Sequence, residues 1–113
     1  MIKIYHNPRC RKSREGVALL EASGKTYKIV LYLENTPTKT ALKTIIKYLK
    51  IEPEALVRKN ELIWKELYKG KELSKEGLIE AMLAHPKLIE RPIVVCGDKA
   101  VIGRPTEKIN TIL

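Results

Sequence analysis

Ile2-Lys3-Ile4-Tyr5 alternates apolar and polar residues as a half-buried strand does, and His6-Asn7-Pro8 breaks that alternation before a helical pattern begins at Arg11. No other stretch constrains the fold so tightly. The helical pattern sets Val17, Leu19 and Leu20 on one side and stops at Ser23-Gly24, where glycine supplies the helix end. Thr26 to Leu33 is β-branched and aromatic enough for a second strand. Two strands joined through a helix pair in parallel with a right-handed crossover.

Four helical segments are expected next. Thr36-Pro37-Thr38 offers a turn and an N-cap for a helix carrying Leu42, Ile45, Ile46 and Leu49 at spacings of three and four. Glu52-Pro53 opens a short helix, since proline suits a first helical position. Two more read from about Asn60 to Tyr68 and from Ser74 to Ala84, the latter closed by His85-Pro86. Pro92 to Cys96 and Lys99 to Ile102 then flank Gly97-Asp98 as a hairpin, and Thr106 to Leu113 closes as a short helix. The expected fold is α/β, a thioredoxin-like four-stranded mixed sheet with helices on both faces. A helical insertion of about 38–86 separates the βαβ unit from the C-terminal hairpin within one domain spanning 1–113.

Composition narrows the function classes. The chain has 113 residues, 44% of them apolar and 31% charged, the balance of a soluble globular domain. It runs straight into MIKIYHNP without the apolar stretch of a secretory signal, so a cytoplasmic protein with no membrane partner is expected. In that compartment Cys10 and Cys96 are better read as reactive or metal-binding than as a structural disulfide. Metal binding fails on ligand number, because His6-x3-Cys10 alone cannot fill a tetrahedral site and His85 is the only other histidine. The net charge of +9 raises nucleic acid as a partner, but the lysines are spread singly or in pairs, and without phenylalanine there is little to stack on bases.

Cys10 is the residue in a special setting. It stands at the mouth of a helix, where unsatisfied backbone N–H groups and the positive end of the helix dipole favour thiolate over thiol. Arg9, Arg11, Lys12 and Arg14 add attraction that salt screens where they are exposed. Ser13 occupies the position of the second cysteine in a dithiol motif, so Cys10-Arg11-Lys12-Ser13 is a monothiol site that needs an outside thiol for release. A cysteine phosphatase is disfavoured, because the residue that should be arginine is Gly16, with Arg14 two positions too early for the part. Cys96 lies four residues beyond Pro92, about 13 Å along a strand. That is beyond the ~7 Å between Cα atoms that a disulfide with Cys10 requires if Pro92 is the neighbour of Cys10.

Five pieces in order, Tyr5-His6-Asn7-Pro8-Arg9-Cys10 with Ser13-Arg14, Tyr32-Leu33-Glu34, Leu56-Val57-Arg58-Lys59-Asn60, His85 through Val95, and Gly103-Arg104-Pro105-Thr106-Glu107, resemble the glutaredoxin-dependent arsenate reductase family (ArsC type) across essentially the whole chain. The resemblance implies a thioredoxin-like domain with Cys10 as nucleophile and His6 as the neighbour that helps keep it ionised. It also implies that Arg58, Arg91 and Arg104 hold the oxyanion, that Pro92 is the cis proline beside the cysteine, and that Asn7, Ser13 and Arg14 support the loop. Guanidinium forks suit a tetrahedral oxyanion.

The expected reaction is reduction of arsenate through a Cys10 adduct, with glutathione as co-substrate, glutaredoxin as the restoring partner, and no metal or tightly bound cofactor. Two alternatives stand beside it. One is a glutathione-dependent reductase of another substrate; the other is a regulator resembling Spx that binds RNA polymerase, against which Ser13 weighs because the redox switch of such proteins is Cys-x-x-Cys.

Overall fold

In the computed structural model, which describes all of Met1–Leu113, four short strands form one sheet. They are β1 (Ile2–Tyr5), β2 (Tyr27–Val30), β3 (Ile93–Cys96) and β4 (Lys99–Ile102), in the order β2-β1-β3-β4. β1 runs parallel to β2 and antiparallel to β3, which pairs antiparallel with β4. The βαβ unit and the hairpin thus join through the β1–β3 pair at the centre of the sheet. Helices α1 (Arg11–Ser23), α2 (Lys39–Leu49), α3 (Leu62–Leu67) and α4 (Lys75–Ala84) complete the α/β, thioredoxin-like architecture, with 3-10 turns at Pro53–Leu56 and Pro86–Leu88 and a 3-10 helix at Thr106–Ile112.

The chain divides into two compact units, Met1–Asn35 with Arg91–Leu113, and Thr36–Glu90. In the first, the alternation of β1 puts Ile2 and Ile4 on one face, where they meet Leu20 of α1, Val94 of β3 and Ile109 of the final 3-10 helix. Pro92 lies against this cluster. An added Cβ at Gly16 would stand 3.1 Å from Pro92 Cγ and 3.2 Å from Ile4 Cδ1; at Gly103 it would stand 2.9 Å from Pro92 Cγ and 3.1 Å from Ile109 Cδ1. Both glycines are therefore a matter of space. At Gly24 it is conformation instead, because φ of 74° at the end of α1 is left-handed and favours glycine.

In the second unit the expected spacing holds, with Leu42, Ile45 and Ile46 buried on α2, which Thr38 caps by accepting from Ala41 N–H at 3.1 Å. Ser74 caps α4 in the same way through Gly77 N–H at 3.0 Å. α2 and the short turn at Pro53–Leu56 pack on α4, and Val57 pairs with Ile89 as an isolated antiparallel bridge.

Expected boundaries move at several elements, two of them for a plain local reason. The second strand ends at Val30 rather than Leu33, because the Glu34 and Asn35 N–H groups both bond to Leu31 O, at 3.0 and 2.8 Å, and turn the chain out of the sheet. β3 starts at Ile93, one residue after Pro92, which has no N–H to donate. The closing segment is helical as expected but of the tighter 3-10 form. No helix is long and apolar enough to cross a membrane.

Candidate active site at Cys10

Register decides which loops meet. Tyr5, the last residue of β1, pairs with Ile93, the first of β3, and Ile93 pairs with Ile102, the last of β4. The segments after β1, before β3 and after β4 therefore emerge at the same end of the sheet. They carry His6 to Cys10, Arg91-Pro92 and Gly103-Arg104 respectively. Cys96 pairs with Ile2 at the opposite end, where it packs half-buried against the apolar cluster.

Cys10 is the N-cap residue of α1, in extended conformation, and its carbonyl accepts the first helical bond from Arg14 N–H at 3.0 Å. The loop before it is closed by Asn7 three times: its carbonyl accepts from Cys10 N–H at 3.0 Å, its Oδ1 from Arg9 N–H at 3.0 Å, and its own N–H donates to Ser13 Oγ at 2.9 Å. His6 Nδ1 lies 2.6 Å from the same Ser13 Oγ, and Ser13, Asn7 and His6 are all buried. Ser13 is thus the post around which the loop is wound, which gives a buried hydroxyl its partners.

The sulfur is held by arginines distant in sequence. Arg104 Nη2 donates to Cys10 Sγ at 3.3 Å, and its Nε donates to the carbonyl of Arg91 at 2.8 Å. Burial opposes ionisation of Cys10. It is outweighed by a hydrogen bond from the Arg91 side chain, one from the Ser13 backbone, and the charges of Arg91 and Arg104, which together hold the thiol below its ordinary value. Arg11 is 85% exposed and paired with Glu15, and Arg14 donates to Pro8 O at 3.0 Å.

His6, expected to help keep Cys10 ionised, reaches Ser13 rather than the sulfur in the hydrogen bond it makes. Burial, followed by the charge of Arg14, pushes its imidazole below the usual histidine value, with a backbone hydrogen bond to Ser13 as a partial offset. What its ring touches is Ser13. The peptide bonds Arg91-Pro92 and Arg104-Pro105 are both cis; the first was expected and the second was not.

Arg58 belongs to the second unit. Its backbone N–H bonds to Leu88 O at 2.7 Å, its Nε reaches Glu61 Oε2 at 3.1 Å and its Nη1 reaches Glu90 Oε1 at 2.6 Å. Burial works against its charge, but Glu90 and Glu61 more than compensate and keep the guanidinium firmly protonated. Sequence reasoning passed over Glu15, which accepts from Thr106 Oγ1 at 3.1 Å, and the two glycines around Pro92. A lone glycine inside a helical pattern was the available signal at Gly16, since it costs about 1 kcal/mol against alanine and wants a packing reason. No group of three or more His, Cys, Asp or Glu is arranged to hold a metal ion.

A family model described as the ArsC family matches residues 5–112. The chain is 46% identical over 114 residues to the uncharacterized protein YfgD of Escherichia coli K12, covering 99% of this chain and 96% of that one. It is 45% identical over 112 residues to an arsenate reductase of Haemophilus influenzae, covering 97% of each. The solved structure of an arsenate reductase from Vibrio cholerae is alike at a TM-score of 0.94 and 47% identity, over 99% of this chain and 97% of that chain.

Proposed function

Since the chain belongs to the ArsC family, we propose that it reduces arsenate to arsenite through Cys10. The observation that carries this reading is the pair of guanidinium groups, Arg91 and Arg104, on one thiol at a helix N-terminus. They favour the thiolate before the substrate arrives, and their remaining donors suit the oxygens of a tetrahedral anion.

The Cys10 thiolate attacks arsenic, a sulfur–arsenic bond forms and one arsenate oxygen leaves as water. Glutathione sulfur then attacks Cys10 sulfur; the sulfur–arsenic bond breaks with its electron pair going to arsenic, so arsenite departs and a Cys10–glutathione disulfide remains. A glutaredoxin thiolate then attacks the glutathione sulfur, releasing Cys10 as thiolate, and a second glutathione attacks the resulting glutaredoxin–glutathione disulfide, freeing glutaredoxin as oxidised glutathione leaves. Two thiols thus supply the two electrons. With Ser13 in place of a second cysteine, the disulfide has no resolving thiol beside it in sequence, which is why an external one is needed. This chemistry suits the cytoplasm, where glutathione is kept reduced.

Asn7 and Ser13 act as positioning residues for the loop, with His6 supporting Ser13 and Arg14 closing onto Pro8. The role of Arg58 as a further oxyanion ligand rests on the resemblance of Leu56-Val57-Arg58-Lys59-Asn60 alone.

The test is arsenite production from arsenate with glutathione and glutaredoxin, in wild type and Cys10→Ser. Turnover is expected to require Cys10, and activity surviving in Cys10→Ser would eliminate the nucleophile. A thiol that ionises low and takes up glutathione, in a protein inert to arsenate, would retain the reductase class with another substrate. Co-purification with RNA polymerase and no turnover would favour the regulator.

A further inference from the structure

We propose that Glu15 and Thr106 form a positioning pair that pins the Arg104 loop to the helix carrying Cys10, and so sets the Arg104 guanidinium on the sulfur. The proposal deepens the reading above and rests on Cys10 being the reacting thiol.

The bonds within the Arg104 loop tie it to the sheet. Gly103 N–H donates to Pro92 O at 2.9 Å, Arg104 N–H to Ile102 O at 2.8 Å, and Arg104 Nε to Arg91 O at 2.8 Å. These orient the guanidinium relative to β3. They do not fix its distance from α1, where Cys10 sits. The bond from Thr106 Oγ1 to Glu15 Oε1, at 3.1 Å and partly buried, crosses that gap between residues 91 positions apart. Thr106 lies two residues beyond Arg104, with Pro105 between them at φ −66°, a torsion its ring locks. Little freedom therefore separates the anchor from the guanidinium it positions.

The carboxylate is itself held ready. Arg11 Nε approaches its Oε2 and Lys12 Nζ its Oε1, each at 3.4 Å. Such exposed pairs contribute little energy, so the placing of the carboxylate falls mainly to the shorter Thr106 bond. The Thr106 hydrogen bond is also the main influence holding the Glu15 carboxyl below its usual value.

Charge and position pull in opposite directions here, which makes the proposal testable. A carboxylate five residues from Cys10 repels a thiolate, so a purely electrostatic Glu15 would hinder ionisation. As an anchor for Arg104 it favours it.

The experiment measures iodoacetamide alkylation of the full chain against pH, in a Cys96→Ser background so that only Cys10 reacts. Thr106→Val and Glu15→Ala are each expected to move the ionisation midpoint of Cys10 upward and slow alkylation several-fold near neutral pH. Thr106→Ser, which keeps the hydroxyl, is expected to match the parent. An unchanged midpoint in Thr106→Val, or an unchanged or lowered one in Glu15→Ala, overturns the proposal. Should Thr106→Val fail to fold, Glu15→Ala decides alone, since alanine is the best helix former and Glu15 is partly exposed. Iodoacetamide carries no oxyanion, so a parent with a low midpoint and no arsenate turnover would sink the substrate while leaving this pair standing.

Discussion

Cys10 combines a position that local sequence dictates with partners that it does not. The helix terminus follows from the break at His6-Asn7-Pro8, whereas the cations that govern the sulfur, Arg91 and Arg104, arrive from the far end of the chain. Their removal should therefore matter more than removal of the sequence neighbours. Arg104→Ala is expected to raise the Cys10 ionisation midpoint and to lower arsenate kcat about 100-fold, the usual cost of losing one preorganised oxyanion donor. Arg11→Ala should leave the midpoint in place, because Arg11 points into solvent. Alkylation against pH and steady-state turnover check both. The lowered thiol also has a thermodynamic consequence. A group whose native pKa lies below its unfolded value adds stability that is complete above the unfolded thiol range, about 8.5, and is lost as pH falls through the native value. Urea denaturation should accordingly show the stability of wild type relative to Cys10→Ser rising with pH through that window.

The elements around Pro92 explain why two glycines flank it. α1 crosses the proline ring at Gly16, the end of β4 crosses it at Gly103, and a methyl at Gly103 would sit 2.9 Å from Pro92 Cγ. Gly103→Ala is expected to cost about 1–3 kcal/mol by overpacking, read as a lower denaturation midpoint, and to reduce turnover because Pro92 follows Arg91 directly. Gly16→Ala, with contacts of 3.1 and 3.2 Å, should be milder, since the helix gains an alanine in exchange. Capping in the second unit gives a separate measure. Thr38→Ala should cost about 1 kcal/mol through loss of the bond to Ala41 N–H, again by chemical denaturation. Strands and helices were legible because their periods of two and 3.6 residues are written locally. The early end of β2 was not, because Tyr32 is buried and looks like strand while its backbone belongs to a turn.

Across the whole molecule the charge of +9 bears on rate rather than on fold. Arsenate is an anion, so kcat/KM is expected to fall as ionic strength rises and the screening length shrinks to about 10 Å near 0.1 M, whereas alkylation by neutral iodoacetamide should respond less. Equal salt sensitivity of the two would argue against steering. At this scale the division of labour between sequence and structure is clear. The sequence by itself determined the βαβ start, the helical segments, the hairpin and the place of Cys10 at a helix N-terminus, all of which follow from spacing and turn chemistry within a few residues. The family membership was also legible there, as ordered motifs. Only the tertiary structure decided which charges reach the sulfur, why the His6 imidazole is pushed below its usual value, and what Gly16, Gly103, Glu15 and Thr106 are for. These depend on strand register and close packing, which join residues up to 94 positions apart and leave no trace in local pattern.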